Sequence, residues 1–85
     1  MANIHFELVT PEKLVRSGEA YMVVVPGTEG DLGIMAGHAP LMTTMRDAEM
    51  RIYATDGATP DAMMIRGGFA EVNDKGLTIL AEAVG

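Results

Sequence analysis

A chain of 85 residues is the length of one domain, and a compact body of that size buries roughly 60 to 65% of its unfolded surface. With 48% hydrophobic and 21% charged residues it lies outside the disordered, collagen-like and fibrous classes. Twelve acidic residues against six basic ones give a net charge of −6, a field that repels phosphate backbones and anionic membrane surfaces, so nucleic acid is not an expected partner. The absence of cysteine removes both a disulfide framework and a thiolate zinc site and favours a reducing compartment.

The start, Met1 to Phe6, has neither the basic region nor the long apolar run of a signal peptide, and no apolar stretch approaches the ~18 residues of a membrane span. The chain is expected to be neither exported nor embedded, with any membrane association made through a partner. From Asn3 to Val9 apolar and polar residues alternate, placing Ile4, Phe6 and Leu8 on one face of a strand and His5 and Glu7 on the other. Thr10-Pro11-Glu12 breaks the pattern, and Lys13 to Ser17 reads as a second strand stopping at Gly18. Ala20 to Val25 is apolar on both faces and is expected to be a strand covered on both sides, ended by Pro26-Gly27.

Between Gly27 and Pro40 the repeated glycines exclude a long helix and predict a bent strand between two tight turns. Met50 to Ala54 and Ala62 to Arg66 read as a hairpin around Asp56-Gly57, and Gly67-Gly68 bends the chain. Phe69 to Val72 and Leu77 to Ala81 form a second hairpin around Asn73-Asp74-Lys75-Gly76, whose Asn, Asp and Gly are expected to supply the positive φ of a tight turn. The expected architecture is one all-β domain over residues 1–85, a β-sandwich or flattened barrel of seven to ten strands without a substantial helix. Met22, Met42, Met45, Met50, Met63 and Met64 stand among aliphatics and are expected to fill the core.

Residues for chemistry are sparse. His5 falls on the solvent face of a strand and His38 lies in Gly37-His38-Ala39-Pro40, and no spacing joins either to Ser17, Thr43, Thr44 or Asp47 as a catalytic set. Two distant histidines and the triplet Glu29-Gly30-Asp31 do not make a metal site. The segment Gly27-Thr28-Glu29-Gly30-Asp31-Leu32-Gly33 is glycine-rich, yet it lacks the Gly-Lys-Thr/Ser ending of a phosphate loop and carries two acids that would repel phosphate. Its mechanical reading is a sharp turn presenting Glu29 and Asp31 outward to a basic partner. No catalytic residue, cofactor or metal is expected.

That segment and its continuation, Gly27 to Leu41, resemble the signature of the epsilon subunit of F-type ATP synthases. Gly67-Gly68-Phe69-Ala70-Glu71-Val72, followed by Leu77-Thr78-Ile79-Leu80-Ala81-Glu82, resembles that family's second block, in the right order and at a suitable distance. The resemblance implies a ten-stranded sandwich in the central stalk, bound to the gamma subunit and resting on the ring of c subunits. It implies indirect linkage to the alpha/beta catalytic hexamer and a place at the cytoplasmic face of a bacterial inner membrane. Glu29, Gly30 and Asp31 match the loop that touches the arginine-bearing polar loops of the c ring, and His38, Ala39 and Pro40 match a segment lying toward gamma. For His38 the structural alternative is a turn histidine bonded to backbone.

Family members usually continue into a pair of helices that can restrain ATP hydrolysis or fold around ATP, whereas this sequence ends at Val84-Gly85. Neither an ATP site nor self-inhibition is therefore expected of these residues. A rival reading from another class is a small-molecule-binding barrel, with methionines lining a pocket and the Gly27 to Gly33 loop gating it. An enzyme using His38 as general base would need a nucleophile and oxyanion donors within reach of that ring.

Overall fold

The structure is a computed structural model that describes residues 2–85; Met1, the first residue of the expected domain, lies outside them. Ten strands form among the described residues: β1 (Ile4–Val9), β2 (Leu14–Ala20), β3 (Met22–Gly27), β4 (Gly30–Met35), β5 (Leu41–Thr44), β6 (Ala48–Tyr53), β7 (Asp61–Arg66), β8 (Phe69–Asn73), β9 (Gly76–Leu80) and β10 (Ala83–Val84). They make two five-stranded sheets, one in the order β2-β1-β9-β8-β5 and the other β10-β7-β6-β3-β4, packed as a β-sandwich. The fold is all-β, as expected. β1 and β9 run parallel, and the other pairings are antiparallel.

Period-two alternation fixes which side chains face inward. Phe6, Leu8, Leu77 and Ile79 from the first sheet meet Val23, Val25, Ile34, Met50 and Ile65 from the second, all essentially sealed from solvent. Each such side chain contributes about 1.5 to 3 kcal/mol of transfer free energy. With no cysteine to add a cross-link, this interlock is what holds the sheets together.

The outer face of β3 has a different cover. Val24 and Pro26 point away from the core, yet Val24 is only 8% exposed and Pro26 is fully buried. Arg51 on β6 pairs with Val24, and its guanidinium reaches Asp31 on β4, so its stem must cross over β3, which lies between them. The expectation of a strand covered on both sides holds, but the second cover is an arginine stem instead of another layer.

Several expectations change in detail. β2 continues through Gly18 to Ala20, because Gly18 pairs with Phe6 in the ladder and leaves space for its ring. Leu41–Thr44 and Ala83–Val84 are short strands that no sequence pattern announced. Asn73 and Asp74 do not take positive φ; Gly76 alone does, at 128°, while Asn73 acts through its side chain, whose Oδ1 accepts the Lys75 amide at 2.8 Å. The β3–β4 turn uses the same device, with Thr28 and Glu29 followed by Gly30 at φ 135°.

The methionines divide by phase. Met45 and Met50 are core residues, Met63 packs against the core, and Met22 is half-buried. Met42 and Met64 are exposed to 64% and 48%, because they fall on the outward phase of β5 and β7 opposite Glu71 and Glu49.

Candidate docking site

The β3–β4 hairpin carries both sequence-predicted contact segments, one at each end. Gly27 pairs with Gly30 at the turn, and Met22 pairs with Met35 where the chain leaves toward His38. Five residue steps of antiparallel strand separate these ends by about 17 Å.

At the turn, Thr28, Glu29, Gly30 and Asp31 are all exposed. Glu29 makes no ion pair or side-chain hydrogen bond with the described residues. Asp31 differs: Arg46 donates to its Oδ1 at 2.6 Å and Arg51 to its Oδ2 at 3.2 Å, so both oxygens are held within the chain. One carboxylate between two guanidiniums leaves this trio with a surplus positive charge. With Glu29 included the charges cancel, so this end of the hairpin is mixed in sign where the sequence suggested an acidic tip.

The turn is also tied down through its backbone. The Thr28 amide donates to the Thr44 carbonyl at 3.0 Å, the Thr28 and Thr44 hydroxyls lie 3.1 Å apart, and Gly27 bridges Met45. Arg46 donates its own amide to Pro26 O at 2.9 Å and its Nη1 to Gly27 O at 2.6 Å. Sequence reasoning missed Arg46 and Arg51 because their partners lie far away in sequence and are brought near only by strand register. Arg51 Nε is buried without a hydrogen-bond partner among the described residues.

His38, Ala39 and Pro40 form a local bend. The His38 amide donates to Met35 O at 3.1 Å, and its Nδ1 lies 2.7 Å from Ala39 O. This is the backbone-bonded turn histidine of the structural alternative. His38 lines a surface depression of about 260 Å³ together with His5, Glu19, Asn73 and Lys75. There His5 Nδ1 meets Glu19 at 2.8 Å and its Nε2 lies 3.7 Å from Glu7. The hydrogen bond to Glu19 is the main cause that raises the His5 pKa above its ordinary 6.5; desolvation opposes it, and the Glu19 charge and the weaker Glu7 contact add to the rise.

Neither histidine is hydrogen-bonded to Ser17, Thr43 or Thr44 among the described residues; Thr43 Oγ1 donates to Thr44 O instead. No group of three metal-ligating side chains is assembled among the described residues. The depressions of about 260, 300 and 430 Å³ contain neither a methionine nor any residue of Gly27 to Gly33 in their linings, so the gated, methionine-lined pocket of the ligand-binding reading has no counterpart in them.

The comparisons with known proteins agree with this architecture. The family described as "ATP synthase, Delta/Epsilon chain, beta-sandwich domain" matches residues 3–84. An ATP synthase epsilon chain of Caulobacter vibrioides is 54% identical over 82 residues, covering 96% of this chain and 93% of the relative. One from Parvibaculum lavamentivorans is 53% identical over 79 residues, and there the chain spans only 59% of the relative's length. A chain of the Euglena gracilis mitochondrial ATP synthase assembly of OSCP, F1 and c ring superposes with a TM-score of 0.88 at 24% identity, over all of this chain and 54% of that one, which supports the fold. A family match over nearly every residue and close relatives with one shared name agree with the two-sheet topology: the chain belongs to the ATP synthase delta/epsilon chain β-sandwich family.

Proposed function

We propose that this chain is a non-catalytic subunit of the central stalk of a proton-driven ATP synthase, docking the gamma subunit onto the c ring at the cytoplasmic face of a bacterial inner membrane. The observation that carries the reading is the family match over residues 3–84. The two candidate contact segments at opposite ends of one hairpin suit a body that must touch two partners. Transmitting torque calls for a rigid coupling, and two sheets interlocked at interior density resist deformation. The subunit then acts by shape and contact, coupling proton flow to ATP synthesis on the alpha/beta hexamer without chemistry of its own.

Glu29 and Gly30 are assigned to the c ring, with Asp31 behind them, and His38, Ala39 and Pro40 to gamma. Charge at the rim serves register and encounter more than affinity, since exposed pairs contribute about 0 to 1 kcal/mol each. The test is co-purification: the tagged chain is recovered from detergent-solubilised membranes of the source organism and its partners are identified by mass spectrometry. Recovery of gamma, c and the catalytic subunits is the expected result. Recovery of the chain alone, or with unrelated soluble proteins, would overturn the reading.

A further inference from the structure

The β3–β4 turn holds two acidic residues with opposite circumstances, and the difference is made by side chains more than a dozen residues away. Arg46 contacts the turn at three points: its amide at Pro26 O, its Nη1 at Gly27 O and its Nη2 at Asp31 Oδ1. Arg51 closes on the other Asp31 oxygen from the far side of β3. Together with the Thr28 to Thr44 bonds, these contacts fasten both strands at the base of the turn, while the exposed Glu29 side chain is tied to none of the described residues.

We propose that Arg46 and Asp31 are positioning residues: they brace the turn from behind and leave Glu29 as its one carboxylate unpaired among the described residues. A carboxylate whose two oxygens are each engaged by a guanidinium has little left to offer an incoming cation, and a third cation brought to it would meet the surplus positive charge of the pair. Glu29 has no such restraint among the described residues. A braced turn also loses less freedom when a partner binds than an open one, which favours association without any added contact.

The inference deepens the docking assignment above and rests on it for the partner, but the bracing is measurable on the chain alone. Amide hydrogen exchange is followed by NMR in the full chain and in Arg46→Met and Asp31→Asn, with the Ile34 and Ile52 amides as controls for an intact sandwich. Both variants are expected to exchange the Thr28 amide about tenfold faster, the scale of losing one charge-assisted hydrogen bond. Unchanged Thr28 exchange with the controls protected would overturn the proposal.

Binding to purified c rings across a salt series supplies the second readout. Glu29→Gln should flatten the salt dependence and leave Thr28 exchange alone, whereas Asp31→Asn should keep the wild-type salt slope. Asp31→Asn flattening that slope with Thr28 still protected would show Asp31 in direct contact and overturn the assignment. If Glu29→Gln leaves c-ring binding unaltered while Arg46→Met and Asp31→Asn release Thr28, the bracing stands and only the c-ring reading falls.

Discussion

The two ends of the β3–β4 hairpin are built by opposite means. The Thr28–Asp31 turn is fastened to residues 44–46 and to Arg51 by backbone, hydroxyl and ionic contacts spanning 15 to 20 residues of sequence. The His38 bend is held by its own neighbours, Met35 and Ala39. A surface site can thus be set either by long-range register or by local turn chemistry, and only the second kind can be read along the chain. The first kind should be sensitive to changes placed far from it, and the second should not.

The largest effect is expected from disturbing the support beneath the braced turn. Gly68 O accepts the Met45 amide at 2.9 Å, and Met45 bridges Gly27. Gly68 also sits at φ 91°, where an added Cβ would overlap the Leu80 carbonyl oxygen. Gly68→Ala should cost about 3 kcal/mol or more, measured by urea unfolding, because backbone cannot yield there as a flexible side chain could. A change under about 1 kcal/mol would show that the crossing can relax.

Removing the acid from the brace should have a smaller effect. Asp31→Ala leaves Arg46 and Arg51 facing each other with no counter-charge and is expected to cost about 1 kcal/mol at low salt, a value reduced by partial exposure of all three side chains. The loss should shift with ionic strength, since salt screens the remaining repulsion. At the other end, His38→Ala should stay within about 0.5 kcal/mol, because among the described residues its ring is bonded only to the adjacent one. A larger loss by denaturation would mean that the bend is not self-contained.

How far the fold was legible follows the same division. β1, β3, β8 and β9 are announced by alternation or β-branched runs, and their inward residues follow from phase alone. β5 and β10 are not, since Leu41-Met42-Thr43-Thr44 and Ala83-Val84 are too short to show a period and become strands by pairing with β8 and β7. In the site, the glycines pointed to the turn at Thr28–Asp31, but the neutralisation of Asp31 was hidden because Arg46 and Arg51 meet it through tertiary register. Met42 and Met64 depart from expectation for a related reason: composition places methionine inside, and only strand phase turns these two outward.

The smallest expected effect lies in the depression beside His38. His5 gains Glu19 and Glu7 as partners on folding, and its pKa is raised from 6.5. A raised folded value means that its stabilising contribution is fully present below pH 6.5 and is lost as pH rises through the folded pKa. The melting temperature of the wild type relative to His5→Gln should therefore be higher on the acid side and converge above that value. An equal difference at all pH values would show that the Glu19 contact is not ionic.

A photo-reactive amino acid placed at position 29 and irradiated in the assembled complex in membranes would read the contact of the turn with its partner. A cross-link to the c subunit is expected from position 29, and none to c from a probe at position 38. Cross-linking of position 29 to gamma, or to no other subunit in a complex that has incorporated the chain, would contradict it.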